Sequence, residues 1–259
     1  MSKKVCVFVD GENFRHNIVD LFKQFKGYDY LPKEADWNGL FDFFVAKALP
    51  EGAPERVRTY WYVIDLLDFF PYQFPDADSE TELLQLVLSK NNKVKERLEQ
   101  LSENKDNLKA EMKRTVSYLR KRKEGMESRF RGWKTIQDNI SVSSPRVEFR
   151  RAGAITYNLF YENFGKEKAV DVKLAVDLIE LRAIYDVALI VSGDQDYVPA
   201  VQNVKDHGKT VINVAFRTKD EKLLPGGAWR LNQHTDDSIK INYLELARYL
   251  KIPFVPAAK

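Results

Sequence analysis

The chain has 259 residues, 44% of them hydrophobic, which is enough for one large domain with an insertion or for two small domains. Its net charge is only +3, and its single cysteine, Cys6, excludes a disulfide framework and a thiolate zinc site. With three scattered histidines, a histidine-based metal site or triad has little support. There is no signal peptide and no apolar run near the roughly 18 residues that span a membrane, so we expect a cytoplasmic protein with no membrane partner.

The first part of the chain alternates strands with helices. Short apolar runs predict strands over residues 5–9 and 57–64, and apolar residues at helical spacing predict helices over residues 14–25 and 37–49. Aromatic and proline residues predict a loop over residues 69–75.

Residues 81–131 follow a different pattern, with few β-branched residues and no proline. Their apolar residues recur at alternating steps of three and four, which makes a heptad stripe interrupted by Asn91, Lys105 and Thr115. One long helix or an antiparallel pair would satisfy this stripe, with residues 102–107 as the expected bend. Because the stripe must be buried, we expect an intramolecular hairpin in preference to a homodimer formed through this segment.

The alternation of strands and helices then resumes. It predicts strands over residues 146–151, 187–191 and 210–215, and a short last strand within residues 231–241. It predicts helices over residues 170–183, 197–206 and 243–250. The whole pattern is typical of a three-layer α/β fold with a central parallel sheet. The domain organisation that we predict is an α/β domain over residues 1–75 and 145–250, a helical insertion over 78–135, and a tail over 251–259.

Acidic residues follow the apolar runs of this predicted sheet. Asp10 closes the first strand, Asp194 and Asp196 follow the strand over residues 187–191, and Asp171 lies near the start of a helix. In open parallel sheets the ligand crevice lies beyond the carboxyl ends of the strands. Carboxylates gathered there repel one another unless a cation balances them. A hard, oxygen-preferring ion such as Mg²⁺ or Mn²⁺ would do so, and the sequence therefore predicts a metal site.

Each acid taken alone also has a structural explanation. Asp10 could cap the first helix, and Asp196 could cap the helix that follows it. Asp171 suits the helix dipole. Capping does not explain the second carboxylate, Asp194. Asp177 points in another direction on its helix from Asp171 and is a weaker candidate.

Three motifs, in order and spacing, resemble those of the NYN domain, a branch of the PIN-like nucleases. They read VDGEN (9–13), AVDVKLAVDL (169–178) and VSGDQDYVP (191–199). The resemblance covers residues 1–75 and 145–245 and is closest to the bacterial LabA-like group. It implies a Rossmann-like sheet, an acidic Mg²⁺ or Mn²⁺ site, and hydrolysis of RNA phosphodiester bonds.

Carried over by motif, the catalytic and metal-binding acids are Asp10, Asp171, Asp194 and Asp196. The supporting residues are Asn13, Ser192 and Lys173, of which the lysine could contact a phosphate. Two features depart from the family's pattern: Ala169, where the family often has glycine, and the helical insertion. Neither removes a carboxylate, but both leave the choice of substrate open.

The resemblance thus implies a metal-dependent ribonuclease. The alternative is a catalytically weak RNA-binding or regulatory module that keeps the fold. A phosphatase of the haloacid dehalogenase type is disfavoured, because that class uses Asp-x-Asp after its first strand and this chain has Asp10-Gly11-Glu12.

A basic segment bears on the substrate. Residues 113–134 hold nine Lys or Arg against two acids, with Tyr118, Phe130 and Trp133 interleaved. Basic residues neutralise phosphates and aromatic faces stack on bases, although a solvated helix face is the plain alternative. The nucleic-acid-binding residues that we predict are Arg120, Lys121, Arg122, Lys123, Arg129, Arg131, Lys134, Arg150 and Arg151. The expected partner is RNA, single-stranded or structured.

Overall fold

The protein was analysed as a computed structural model, which describes residues 2–22, 30–224 and 228–252. The chain divides into two compact units. One, the sheet unit, comprises Met1–Val63, Trp133–Ala152 and Ala169–Lys259. The other, the helical unit, comprises Ile64–Gly132 and Gly153–Lys168. This division reflects compactness alone, and the domain boundaries read from the sequence stay a prediction.

The described elements alternate along most of the chain. The strands are β1 (Lys4–Asp10), β2 (Glu55–Phe70), β3 (Val147–Asn158), β4 (Asn163–Phe164), β5 (Val187–Val191), β6 (Thr210–Arg217), β7 (Leu223–Leu224) and β8 (Asp237–Asn242). The α-helices are α1 (Gly11–Leu21), α2 (Trp37–Ala48), α3 (Thr81–Leu88), α4 (Asn92–Gln100), α5 (Lys105–Ser143), α6 (Val170–Glu180), α7 (Val198–Asp206), α8 (Ala228–Asn232) and α9 (Tyr243–Leu250). None of the described helices is both long and apolar enough to cross a membrane.

A mostly parallel sheet forms the core of the sheet unit. β1 pairs in parallel with β2 on one side and β5 on the other, and β5 pairs in parallel with β6. β8 adds a further parallel strand on β6, while β7 pairs with β6 in the antiparallel sense. β5 is buried along its whole length and β1 from Val5 onward, as expected for parallel strands with both faces covered. The predicted α/β fold with a central parallel sheet is confirmed.

Several boundaries differ from the sequence prediction. α1 begins at Gly11 because Asp10 caps it, and the end of the helix predicted over residues 14–25 lies outside the described residues. The predicted loop starts too early, since β2 runs on to Phe70, whose carbonyl oxygen accepts a hydrogen bond from Leu159 N at 2.9 Å. The last strand begins later than expected, because Leu231 belongs to α8 and is fully buried there.

In the helical unit, α4 and α5 form an antiparallel hairpin. The chain turns between them over residues 101–104, at the start of the predicted bend, and Arg97 Nε lies 2.9 Å from Glu111 Oε1 across the hairpin. Members of the heptad stripe on α3, α4 and α5 are almost fully buried within this one chain: Leu84, Leu98, Met112 and Leu119. Of the other apolar members, Val94, Leu101 and Leu108 are half-buried, so the chain covers most of the stripe by itself.

Candidate acidic site

Asp10 stands where β1 ends and α1 begins. Its Oδ1 accepts a hydrogen bond from Asn13 N at 3.0 Å, so it does cap the helix. Capping uses only that oxygen, and the side chain is 4% exposed. At Gly11 a Cβ atom would clash with the carbonyl oxygen of Tyr62 on the neighbouring strand, so the tight turn after Asp10 requires glycine.

The register of the sheet brings Ser192 next to Asp10. Val9 on β1 pairs with Val191 on β5, so the residues that follow these two come side by side. Ser192 Oγ donates to Asp10 Oδ2 at 2.8 Å and accepts from Asp194 N at 3.1 Å. The serine hydroxyl thus joins the ends of two parallel strands.

Asp194 caps the short 3₁₀ turn Gln195–Tyr197, accepting from Asp196 N at 2.9 Å. The structural alternative considered from the sequence was a cap by Asp196, whereas the structure gives the cap to Asp194. Asp196 instead supplies the backbone donor, and its side chain is exposed. The two carboxylates are therefore arranged by one turn, which fixes Asp194 and leaves Asp196 free to face solvent.

Tyr197 connects acids of two elements, Asp10 at the end of β1 and Asp171 on α6, and no role for it was predicted from the sequence. Its hydroxyl lies 2.7 Å from Asp171 Oδ1 and 3.2 Å from Asp10 Oδ2. Burial raises the pKa of Tyr197, and the charges of Asp10 and Asp171 raise it further. The phenol consequently stays protonated and donates to one of these carboxylates at a time. A tyrosine directly after the Asp-x-Asp turn was the available signal.

Asp171 lies in the first turn of α6, behind a residue in the left-handed region. Ala169, the residue before the helix, has φ 76° and makes no side-chain cap. This conformation costs little for glycine but is unfavourable for alanine. The structure nevertheless shows alanine in this conformation, with Asp171 beside Tyr197.

The site is electrostatically uncompensated. Burial raises the pKa of Asp10 to about 7, with the charge of Asp171 adding to the effect and hydrogen bonds from Asn13, Ser192 and Tyr197 opposing it. Burial also raises the pKa of Asp194, to which the charges of neighbouring carboxylates contribute. In the part of the chain that the structure describes, no ion pair links these acids or Asp196 to a lysine or arginine.

Carboxylate oxygens are the donors that Mg²⁺ and Mn²⁺ prefer, so the donor chemistry of this cluster fits a hard divalent cation. The arrangement is less complete than the sequence suggested. Among the described residues no three His, Cys, Asp or Glu side chains come together in a group that could hold a metal. The hydroxyl of Tyr197 lies between Asp10 and Asp171 instead.

Two predicted supporting residues have other partners. Asn13 gives its backbone N to Asp10, but its side-chain oxygen accepts from Asn17 at 3.1 Å within α1. Lys173 Nζ donates to Asp177 Oδ1 at 2.8 Å. Ser192, by contrast, lies at the centre of the site.

Asp177 belongs to a separate, compensated cluster. It is 1% exposed and accepts hydrogen bonds from Lys173, Arg150 and Tyr62, the last at 3.1 Å. Burial would raise the pKa of Asp177, but the hydrogen bonds from Lys173 and Arg150 outweigh it and lower the pKa. Arg150 also lies over the ring of Tyr60 at 4.1 Å from its centre, so this predicted RNA contact is already engaged.

Several of the other predicted nucleic-acid contacts have partners within the chain as well. In the helical unit, Arg120 pairs with Asp76, and Arg122 pairs with Glu162 and donates to backbone carbonyls. Lys123 lies 3.9 Å from Glu127 and over the ring of Phe69. In the sheet unit, Arg151 pairs with Asp138 and binds Gln137. Arg129 and Arg131 are exposed, Lys134 is half-buried, and Lys121 is exposed.

Comparison with known proteins assigns the chain to a family. The NYN domain model matches residues 86–226, more than half of the chain, so the protein belongs to the NYN domain family, whose fold is PIN-like. The matched range includes Asp171, Asp194 and Asp196 and begins after Asp10. It also takes in α4 and α5, although the sequence led us to expect that the helical insertion is not a standard part of the domain.

No curated protein matches the chain. Among solved structures, the chain is similar to a protein of unknown function from Vibrio parahaemolyticus, with 13% identity, 93% of each chain covered and a TM-score of 0.42. That likeness is too weak to bear on function.

Proposed function

We propose that this NYN protein is a metal-dependent ribonuclease that hydrolyses RNA phosphodiester bonds at the site of Asp10, Asp171, Asp194 and Asp196. The observation that carries the proposal is that acids from β1, α6 and the turn after β5 meet around Ser192 and Tyr197 with no cation among the described residues to balance them. Membership of a PIN-like family supports nuclease chemistry in particular.

In this proposal Asp10, Asp171, Asp194 and Asp196 would hold a Mg²⁺ or Mn²⁺ ion, and that ion would supply Lewis-acid activation of the phosphodiester and of an attacking water. The chain's own part is to position those acids. Asn13 N and Ser192 orient the two oxygens of Asp10, and Asp196 N orients Asp194. With a pKa of about 7, Asp10 is partly protonated at neutral pH, and a nearby cation favours its ionised form.

The second candidate is a catalytically weak RNA-binding or regulatory module. It is favoured by the one shortfall in the site, namely that no three carboxylates among the described residues gather closely enough to hold a metal. Turnover separates the two candidates, because a binding module would retain RNA without hydrolysing it.

The finer assignments belong to the same proposal. We place the nuclease domain at residues 1–75 and 145–250, with an insertion over 78–135 and a tail over 251–259, in a cytoplasmic protein of the LabA-like group. A homodimer through the insertion has the least support, because most apolar residues of the stripe on the described helices are buried within one chain.

The deciding experiment incubates purified protein with labelled single-stranded RNA, structured RNA and DNA, each with Mg²⁺, Mn²⁺ or EDTA. We expect divalent metal to be required and RNA to be cleaved in preference to DNA. A preparation of Asp194→Asn, purified identically, controls for contaminating nucleases. Cleavage that persists in EDTA refutes the metal-dependent proposal, while tight RNA binding without turnover in either metal supports the binding module.

A further inference from the structure

An open cleft lies next to the acidic site, entirely within the sheet unit. Its volume is about 670 Å³, and its walls include Gln195 and Asp196 on one side and Trp229, Arg230 and Gln233 on the other. This volume is within the range of roughly 300–1,000 Å³ that is usual for small-molecule sites. Because Asp196 belongs both to this wall and to the acidic cluster, a ligand in the cleft would lie beside the proposed reaction centre.

Trp229 is unlike the other tryptophans of the chain. It is 49% exposed, whereas Trp37, Trp61 and Trp133 are 1%, 0% and 7% exposed. The short helix α8 explains why: Ala228 and Leu231 are fully buried, so the residues between them face outward. A large aromatic face is thus presented to solvent by a well-anchored turn of helix.

The position of that face is held by a specific contact to the acidic turn. Arg230 Nη1 donates to Gln195 Oε1 at 2.6 Å, and its guanidinium carbon lies 5.3 Å from the ring centre of Trp229. Gln195 is the residue between Asp194 and Asp196, so the hydrogen bond ties α8 directly to the turn that carries the acids. The indole and the carboxylates are therefore positioned relative to each other.

The side chains that line the cleft indicate which class of ligand it can bind. An exposed indole, a guanidinium and two carboxamides suit a flat, polar-edged group that stacks by its face and hydrogen-bonds by its edge. We propose that the cleft binds an unpaired nucleobase of the RNA substrate, stacked on Trp229 next to the phosphate that is cleaved. This inference rests on the proposed ribonuclease function and makes it more specific, because a base within a duplex has both faces covered. The substrate that it implies is single-stranded RNA.

The test measures binding of a short labelled RNA in EDTA, where no metal-dependent cleavage occurs. Stacking on an aromatic side chain is worth about 1–3 kcal/mol per base, so Trp229→Ala should weaken binding of single-stranded RNA by roughly 5- to 150-fold. Trp229→Phe, which keeps a ring, should fall between this variant and wild type. Leu244→Ala removes another exposed apolar side chain, on α9, and should bind like wild type. A blunt-ended, fully paired RNA duplex of two strands should bind all four proteins alike.

Two further measurements identify stacking as the cause. The other three indoles are buried, so single-stranded RNA should quench the exposed component of the fluorescence in wild type and in Leu244→Ala but not in Trp229→Phe. An RNA of the same length with abasic nucleotides should bind wild type and Trp229→Ala equally, because it keeps the phosphates and lacks the bases.

Equal affinity of wild type and Trp229→Ala for intact single-stranded RNA overturns the inference. So does an equal loss for single-stranded and paired RNA, which would show a general effect. The two proposals fail separately: metal-dependent cleavage unaffected by Trp229→Ala rejects the cleft alone. Tryptophan-dependent binding without any cleavage rejects the ribonuclease and supports the cleft.

Discussion

Two buried carboxylates of the sheet unit, Asp10 and Asp177, have opposite electrostatic surroundings. Asp177 is paired with Arg150 and Lys173, and its pKa is lowered. Asp10 is about as deeply buried, but its hydrogen bonds come from neutral donors, and the charge of another acid, Asp171, raises its pKa. The comparison separates a carboxylate that lysine and arginine neutralise from one that no cation of the described chain neutralises. The second kind of surroundings is what makes Asp10 a candidate for a functional site.

The largest expected effect is on activity. Asp10→Asn and Asp194→Asn each remove a charge from the uncompensated site, and we expect RNA cleavage to fall on the order of 1000-fold, or about 4 kcal/mol of transition-state stabilisation. Asp206→Asn is the matched control, since Asp206 is the last residue of α7, about 13 Å along the helix axis from the site. Single-turnover cleavage rates measure the effect, and wild-type rates in both variants would remove the proposed site.

Replacing Asp177, the carboxylate that is paired with Arg150 and Lys173, should lower the stability of the fold. Asp177→Asn leaves Arg150 and Lys173 without their buried partner, and we expect a loss of about 2–4 kcal/mol in the free energy of unfolding. This expected loss starts below the roughly 3–5 kcal/mol that breaking a fully buried ion pair costs, because Lys173 is partly exposed to solvent. Urea denaturation tests this prediction, with Asp206→Asn again as control. In the double variant with Arg150→Gln, part of the loss should be recovered. An unchanged urea midpoint in Asp177→Asn would show that the ion pairs of Asp177 contribute nothing measurable to stability.

The two carboxylates should also respond to pH with opposite signs. In metal-free protein the pKa of Asp10 is about 7, above the unfolded value of 3.8, so the folded state binds the extra proton. Its contribution to stability is complete below about pH 4 and is lost as the pH rises towards 7, at about 1.4 kcal/mol per pH unit at most. For Asp177, whose pKa is lowered, stability is present at neutral pH and is lost in acid.

Unfolding free energies measured in EDTA between pH 5 and 7 examine this difference. Asp10→Asn should lose the decline of about 2 kcal/mol over that window and become less dependent on pH. If the unfolding free energies of wild type and Asp10→Asn depend on pH in the same way, the pKa of Asp10 is not raised by burial in the folded protein.

The smallest expected effect extends the comparison to basic residues. Arg120 and Arg122 already have acidic partners in the helical unit, whereas Lys121 is exposed and has no ion pair among the described residues. Each single-strand phosphate contact contributes about 0.7 to the slope of log affinity against log salt. We therefore expect Lys121→Gln to flatten the slope by about 0.7.

Changing Arg120, Lys121, Arg122 and Lys123 to Gln together should flatten the slope by roughly 0.7–1.4, whereas four free cations would give close to 3. RNA binding titrations at several salt concentrations decide between these values. A reduction near 3 would mean that the intramolecular pairs open to receive RNA, and no reduction would make the segment a solvated helix face.

The sequence by itself determined the α/β fold and the places of the acids along it. The apolar runs of β1 and β5 mark buried parallel strands because strand burial is a local, repeating pattern, and parallel strands end at one edge of a sheet. Asp10 and Asp194 therefore had to lie near each other. The three motifs indicated the family, and one of them pointed to Asp171 as a further acid of the site.

Tertiary structure alone decided which charges are compensated. Asp177 meets Arg150 and Tyr62, which lie 27 and 115 residues away, and Arg122 meets Glu162. No periodicity within one segment encodes such pairs, because they depend on how separate segments pack. For the same reason only the folded chain shows that the hydroxyl of Tyr197 lies between two acids. It contacts both Asp10 and Asp171.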